Sequence, residues 1–239
     1  MRYIYGPVKS RRLGLSLGIS LAPYKICDFD CIYCQLGKTC EFTRDRREFV
    51  KAQDVISELK FWLENNQSEA KGLNYITISG TGEPTLNSGI AQVISAIKRS
   101  CGHPVAVITN ASLMYMKEVR YSLLSADLII PSLDAATQEA FDKIDRPYPG
   151  IKIEEIIDGL ASFRKEFRGK IWLEVMLVAG VNDDSKHINR LKEAIDRIRP
   201  DKIQLNSPVR STAETDVFAV DRKKLERIKE ALGEKAEIL

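Results

Sequence analysis

The sequence lacks several features that would place it in a membrane or secreted class. It has no run of about 18 apolar residues, so we expect no membrane-spanning helix. The basic residues near its start are not followed by an apolar stretch, which argues against a secretory signal. The net charge is only +3, too small by itself to indicate nucleic-acid binding. We therefore expect a cytoplasmic protein without a membrane partner.

Cysteine is scarce, and its placement is uneven. The chain has five cysteines, and three of them, Cys27, Cys31 and Cys34, fall within "CDFDCIYC". Thiols stay reduced in the cytoplasm, so clustered cysteines there indicate metal or redox chemistry rather than disulfides. Thiolates favour iron–sulfur clusters, zinc and copper(I).

The cysteine spacing leaves more than one kind of site open. Three close thiolates can hold three corners of a cubane iron–sulfur cluster and leave its fourth iron open to another molecule. A structural zinc site needs four ligands, and Cys40 would complete it as C-x3-C-x2-C-x5-C. A thioredoxin-like role for "CIYC" fits less well, because that motif should open a helix after a strand and has no use for Cys27.

Short β-rich segments alternate with helical patterns along the chain, which predicts an α/β fold with parallel strands and crossover helices. Apolar residues at helical spacing, such as Ile90, Val93, Ile94 and Ile97, predict helices that bury one face. Periodicity leaves open whether the sheet is doubly wound or curled toward a barrel, but both forms bind ligands at the carboxyl ends of the strands. The predicted strands are residues 13–21, 75–79, 105–109, 127–133, 170–178 and 202–206.

Polar residues follow three of these predicted strands. "SGTGEPTL" (79–86) supplies Gly80 and Gly82, which let the backbone approach a ligand, and Glu83, whose carboxylate can accept hydrogen bonds from an ammonium group. The next two strand ends supply short polar groups of the kind that bind ribose or carboxylate groups. These are Thr109, Asn110, Ser132 and Asp134. The alternative is that all of these residues form ordinary turns and helix caps.

The cysteine motif, with Tyr33 just before its last cysteine, resembles the signature of the radical S-adenosylmethionine (SAM) superfamily, and G-T-G-E resembles its "GGE" motif. This resemblance implies that Cys27, Cys31 and Cys34 hold a [4Fe–4S] cluster, whose fourth iron is chelated by the methionine amino and carboxylate groups of SAM. It implies a partial (β/α)6 TIM-like barrel of parallel strands with outer helices, over about residues 14–210. With a C-terminal helix at about 221–233, we expect one radical-SAM domain over residues 1–239.

Two later segments also resemble this superfamily, and they add candidate cofactor contacts. "LEVMLVAGVND" (173–183) implies that Glu174 and Asn182 lie near the cofactor, and "IQLNSPVR" (203–210) implies that Asn206 lies near the adenine, with Tyr33. No catalytic residue is assigned. The residues expected to contact SAM are therefore Tyr33, Gly80, Gly82, Glu83, Thr109, Asn110, Ser132, Asp134, Glu174, Asn182 and Asn206.

The same resemblance implies an iron–sulfur oxidoreductase that takes an electron from a reducing donor and cleaves SAM to a 5′-deoxyadenosyl radical. Strings such as "KIDRP" and "QLNSPVR" resemble the short iron–sulfur oxidoreductases grouped with wyosine-type tRNA-modifying enzymes, which implies a tRNA or nucleotide-like substrate. A compact single-cluster chain also resembles the activases that install a glycyl radical on a protein partner. A non-enzymatic zinc-binding module is the third hypothesis.

Overall fold

The computed structural model describes residues 1–239, in which strands and helices alternate over most of the chain. The strands are β1 (Ile4–Ser10), β2 (Gly14–Ser20), β3 (Ile26–Cys27), β4 (Glu41–Phe42), β5 (Tyr75–Ser79), β6 (Val105–Thr109), β7 (Leu128–Pro131), β8 (Lys170–Met176), β9 (Lys202–Asn206) and β10 (Ala236–Ile238). The helices are α1 (Ala52–Asn65), α2 (Gln67–Lys71), α3 (Ile90–Ser100), α4 (Lys117–Leu123), α5 (Gln138–Ile144), α6 (Ile153–Glu166), α7 (Ser185–Ile198) and α8 (Arg222–Leu232). A 3-10 turn spans Pro84–Leu86.

Eight strands form one sheet in the order β1-β2-β5-β6-β7-β8-β9-β10. Only the β1–β2 pair is antiparallel, so the carboxyl ends of the other strands lie along the same edge. Arg12, in the turn between β1 and β2, contacts Glu174 on β8, which shows that the sheet curls. This architecture, a mostly parallel sheet with outer helices, confirms the expected partial barrel.

The core explains why these segments became strands and helices. Every residue of β7 is buried, as expected for a parallel strand that is covered on both faces. On α3, Ile90, Val93, Ile94 and Ile97 are all buried, so this helix packs with the predicted face. One contiguous cluster of 56 buried residues contains most of these side chains. None of the helices combines the length and the hydrophobicity that a membrane crossing requires.

Sequence patterning did not predict the two outermost strands. Four of the seven residues of β1 are exposed, and its segment contains a glycine and a proline, so it carries a weak strand signal. β10 has only three residues and begins three positions after Gly233, the residue that caps α8. Three predicted strands are also shorter than expected, since β2 spans only Gly14–Ser20, β7 ends at Pro131 and β8 ends at Met176.

Candidate functional site

The segment that joins β3 to β4, residues 27–40, is called the cysteine loop below. Its backbone is tied to the carboxyl end of α5, because the N–H of Ile32 donates to the carbonyl of Ile144 at 3.0 Å. Phe29 is buried and meets Phe141 of α5 edge-on, with ring centroids 5.2 Å apart. The loop therefore has a fixed position against the packed wall of the barrel.

The three clustered thiols have different surroundings. Cys27 accepts hydrogen bonds from the N–H of Phe29 at 3.4 Å and from Asn110 Nδ2 at 3.7 Å. The Cys31 thiol donates to Asp145 Oδ1 at 3.3 Å. Burial raises the pKa of Cys27 and Cys31 well above the usual range, and neighbouring carboxylates add to this effect. Cys31 is near enough to Cys27 and Cys34 for both thiols to raise its pKa further.

These thiols are not arranged to hold a single metal ion. A tetrahedral zinc site with Zn–S bonds of about 2.3 Å would bring its sulfurs to about 3.8 Å from one another. The structure contains no group of three or more His, Cys, Asp or Glu side chains placed to hold one metal ion. Cubane clusters bind each thiolate on a separate iron, so their ligands lie farther apart. The fourth candidate zinc ligand, Cys40, is exposed.

The glycines of G-T-G-E bring the end of β5 against the chain that enters the cysteine loop. Gly82 has a φ of +124°, and a Cβ on it would lie 1.9 Å from the carbonyl oxygen of Ile26. The next residue, Glu83, donates its N–H to that same carbonyl at 3.0 Å. Gly80 also has a positive φ, and a Cβ there would lie 2.7 Å from the Ser20 side chain. Both glycines are thus required by this close packing, whatever they do for a ligand.

Glu83 lies beneath the site and is 4% exposed. Its Oε1 accepts hydrogen bonds from the N–H and hydroxyl of Thr85, at 2.9 and 2.6 Å, and from the Thr109 hydroxyl at 2.6 Å. Its Oε2 accepts from the N–H of Asn110 at 2.6 Å. Burial raises the pKa of Glu83 to about 7. Because a carboxylate has about four acceptor positions, Glu83 is already well satisfied and joins the ends of β5 and β6.

Asn110 connects this region to the cysteine loop. Its side-chain amide donates to Asp28 Oδ1 at 2.7 Å and points toward Cys27. Asp28 is fully buried, and burial raises its pKa. Asp28 was not among the predicted site residues, although its position next to the first cysteine of the motif was a signal for it.

A second network joins the loop to the ends of β7 and β8. The Tyr33 hydroxyl donates to Asp134 Oδ2, and Asp134 Oδ1 accepts from the N–H of Met176 at 2.7 Å. Asn182 is fully buried and donates to the carbonyls of Asp134 and Met176 at 2.7 and 2.8 Å. Burial raises the pKa of Asp134 to about 7. Asp145, at the end of α5, is the other residue that was not among the predicted site residues, although it lies within the string "KIDRP" (143–147).

A cavity of about 450 Å³ fills the inside of the barrel next to this loop. Cys34 is the only cysteine that lines it, together with Tyr33, Glu174 and Asn206. Asn206 donates to Glu174 Oε1 at 3.2 Å, and Arg12 pairs with the other oxygen. The remaining predicted contacts lie outside this cavity; all but Ser132 belong to the support described above, and the N–H of Ser132 donates to the carbonyl of Thr109 at 2.9 Å. They are Gly80, Gly82, Glu83, Thr109, Asn110, Ser132, Asp134 and Asn182.

Comparison with known proteins gives a family match and several relatives. A family model described as "Radical SAM superfamily" matches residues 21–191. The chain is 40% identical over 226 residues to a protein named GTPase Obg from Brachyspira hyodysenteriae, a match that covers 95% of this chain and 33% of that protein. It is 36% identical over 208 residues to UPF0026 protein slr1464 from Synechocystis sp., covering 87% of this chain and 76% of that protein. The chain thus spans about a third of the first relative and three quarters of the second.

A solved structure of TYW1 with a lysine-pyruvate adduct bound has a similar fold. The TM-score is 0.66 at 19% sequence identity, and the match covers 91% of this chain and 72% of that one. At this level of identity, the similarity concerns the fold alone.

Proposed function

The chain belongs to the radical SAM superfamily, and from that premise we propose that Cys27, Cys31 and Cys34 hold a [4Fe–4S] cluster with which this enzyme cleaves S-adenosylmethionine. When bound, the cluster supplies the electron that breaks a carbon–sulfur bond of SAM, giving methionine and a 5′-deoxyadenosyl radical that abstracts a hydrogen atom from the substrate. The observation that carries the proposal is the placement of the thiols. They lie at the carboxyl end of the barrel, and only Cys34 opens on the cavity.

The residues around Cys27 hold its sulfur in place. The N–H of Phe29 and the amide of Asn110 both point at this sulfur, and Asp28 fixes the amide from behind. Hydrogen bonds to ligand sulfurs tune the reduction potential of iron–sulfur sites. We expect these two donors to serve that role here.

The cavity offers the cofactor a polar wall opposite Cys34. The Glu174 carboxylate and the Asn206 amide line it and can bind ribose hydroxyls, while Tyr33 presents its ring beside the last cysteine. The walls of the barrel enclose this space and limit water near a reactive radical. Glu83, Asp134 and Asn182 act indirectly in this proposal, because they fix the strand ends on which the contacts stand.

The substrate we propose is a tRNA or another nucleotide-like molecule. The cysteine-loop and strand-end segments support it through their resemblance to wyosine-type tRNA-modifying enzymes. Four basic residues that line the cavity, Lys9, Arg11, Arg12 and Arg210, give independent support through their charge. A glycyl-radical activase would bind a loop of its protein partner at the same opening. The positive charges of the cavity lining do not favour that alternative.

The direct test is to reconstitute the protein without oxygen, add dithionite and SAM, and quantify 5′-deoxyadenosine by chromatography. We expect a brown protein with about four irons per chain and formation of 5′-deoxyadenosine. Cys34→Ser should lose both properties, because it removes the cluster ligand that faces the cavity. Cys40→Ser is the matched control, and it should keep its iron and its product.

Two results would count against this assignment. One is a colourless protein with one zinc per chain that Cys40→Ser abolishes, which would favour a zinc module. The other is a verified four-iron protein that yields no 5′-deoxyadenosine with either RNA or a protein partner present. Product formed only with a protein partner would replace the nucleotide-like substrate by the activase alternative.

A further inference from the structure

Arg12, in the turn of the β1–β2 hairpin, forms an ion pair at the cavity. Its guanidinium donates to Glu174 Oε2 on β8, and the two side chains are only 20% and 11% exposed. Both residues line the cavity that Cys34 also lines, and Glu174 is the only carboxylate in this lining. Arg12 lies before residues 21–191, which match the family model, so family membership does not account for it.

The hairpin does not depend on this ion pair for its position. The Ser10 hydroxyl already closes the turn by accepting from the N–H of Leu13 at 3.2 Å, and Leu13 is buried against Ala106 and Leu128. A largely buried ion pair adds little to such anchoring, because lost hydration offsets most of the attraction, and apolar residues of similar size often serve equally well. The pair therefore needs an explanation other than stability.

The Glu174 carboxylate is held at both of its oxygens. Arg12 donates to Oε2, and the side-chain amide of Asn206 donates to Oε1 at 3.2 Å. Because a carboxylate has about four acceptor positions, about one remains free on each oxygen. Two neighbouring acceptors match the two hydroxyl donors of a vicinal diol, and carboxylates recognise ribose hydroxyls in dinucleotide sites. The contact proposed above between Glu174 and ribose thus requires that this carboxylate keep its orientation.

We propose that Arg12 is a positioning residue, which fixes the Glu174 carboxylate so that its free acceptor positions bind the ribose hydroxyls of S-adenosylmethionine. Without Arg12, a largely buried carboxylate loses its charged partner, which is costly, and the side chain relieves the cost by turning toward water. Arg12 acts through Glu174 and is not a catalytic residue. The inference rests on the proposed function for the identity of the ligand, and it names the residue that orients the ribose contact.

The first test measures binding of S-adenosylhomocysteine, which lacks the sulfonium that is cleaved, to the cluster-loaded protein by isothermal titration calorimetry. Arg12→Met should raise the Kd by about tenfold, as expected for lost hydrogen bonds to a charged group. Because only Nη1 of Arg12 contacts Glu174, Arg12→Lys keeps a charged donor and should stay within about threefold of the wild type.

Arg164→Met is the matched control for these variants. Arg164 pairs with Asp201 outside the cavity lining, and its side chain is 21% exposed, close to the value for Arg12. Its replacement therefore reports what the loss of a comparably buried ion pair does by itself, and the Kd should not change. Arg12→Gln, which keeps an N–H donor on a shorter chain, is measured alongside and should weaken binding less than Arg12→Met, so the test does not depend on the folding of one variant.

Adenosine and 2′,3′-dideoxyadenosine separate positioning from a merely structural role, since they differ only in the two ribose hydroxyls. Arg12→Met should weaken the binding of adenosine and leave the Kd of dideoxyadenosine unchanged, because the latter has no hydroxyl that Glu174 can accept. Added to Glu174→Ala, it should cause no further weakening, since both substitutions act through one carboxylate. With SAM as substrate, Arg12→Met should raise KM and leave kcat unchanged, as for a contact made equally in the ground and transition states.

The inference is overturned if Arg12→Met leaves the Kd of S-adenosylhomocysteine unchanged, if it weakens adenosine and dideoxyadenosine equally, or if Arg164→Met weakens binding as much. Formation of 5′-deoxyadenosine on the same samples separates this inference from the proposed function. Product formed by Arg12→Met with an unchanged KM for SAM refutes the role of Arg12 and leaves the reaction intact. Diol binding that depends on Arg12, in a cluster-loaded protein without product, refutes the reaction and leaves the role of Arg12 intact.

Discussion

Gly82 fixes how closely the end of β5 can approach the cysteine loop. Its φ of +124° is a conformation that residues with a Cβ rarely adopt, and the space for a Cβ is already filled by the Ile26 carbonyl. Ile26 directly precedes Cys27, so any displacement here moves the first of the three thiols. The motif alone would assign Gly82 to the approach of a ligand. In the structure this glycine is also required for packing inside the protein.

We predict that Gly82→Ala destabilises the protein by on the order of 3 kcal/mol or more, because the added methyl group adds a backbone clash to the strain of the positive φ. Urea unfolding followed by circular dichroism measures the loss, and iron content per chain after reconstitution should fall with it.

Gly37→Ala is the matched control for this variant. Gly37 lies in the cysteine loop with a φ of +76°, and a Cβ on it would meet nothing within 4 Å. It should therefore show only the conformational cost of about 1–2 kcal/mol and retain its iron. Equal losses from the two substitutions would mean that strain alone, and not the contact with Ile26, accounts for the effect.

The β1–β2 hairpin closes the barrel from the end opposite the cysteine loop. The turn is held by the Ser10 hydroxyl, which accepts hydrogen bonds from the N–H groups of Arg12 and Leu13, both at 3.2 Å. Leu13 is buried against Ala106 on β6 and Leu128 on β7. This one short turn therefore both seals the barrel floor and carries cations to the cavity.

We predict that Leu13→Ala costs about 2–4 kcal/mol of folding stability, since it removes a buried side chain and leaves a void in the barrel floor. Val8→Ala on the same hairpin is the control. Val8 is 47% exposed, so its loss should stay within about 0.5 kcal/mol. Urea midpoints at a constant m-value measure both, and a Leu13→Ala loss as small as that of Val8→Ala would show that the turn does not seal the barrel.

Across the molecule, strand and helix periodicity predicted the parallel sheet, because buried strands and one-sided helices leave strong patterns. Residues 75–79, 105–109 and 202–206 form the strands expected of them. The same patterns could not reveal β1, whose partner is set by a turn and whose residues are mostly exposed. The hairpin places Arg11 and Arg12 in the cavity lining. Arg12 contacts Glu174, which lies 162 positions later in the chain.

The candidate site could be predicted from the sequence less completely than the sheet. Residue type and spacing alone selected the three thiols, since iron–sulfur chemistry imposes both. The same reasoning placed Glu83 against a ligand, whereas in the structure its four hydrogen bonds all go to the protein. Whether a strand-end carboxylate faces a cavity or the turn beneath it depends on side-chain direction, which a single sequence does not encode locally. Its contact with SAM stays a prediction.

The surroundings of the cysteine loop give the whole protein an unusual dependence on pH. Four buried carboxyl groups border the loop, and burial raises the pKa of each. They are Asp28, Glu83, Asp134 and Asp145. A carboxyl group whose pKa is higher in the folded than in the unfolded protein binds more protons when folded. The stability it supports is therefore present at low pH and is lost as pH rises from the unfolded toward the folded pKa.

We predict that the cluster-free protein becomes less stable between pH 4.5 and pH 7, opposite to ordinary acid denaturation. Glu83, whose pKa rises from 4.5 to about 7, accounts for about 3 kcal/mol of this loss at 1.36 kcal/mol per pH unit. Urea unfolding at several pH values measures the slope, which Glu83→Gln should flatten because the amide does not titrate. Glu230→Gln, an exposed glutamate on α8, should leave the slope unchanged. A stability that rises with pH in the wild type, or a slope equally steep in Glu83→Gln, would show that the hydrogen bonds from Thr85, Thr109 and Asn110 keep this carboxylate ionised despite its burial.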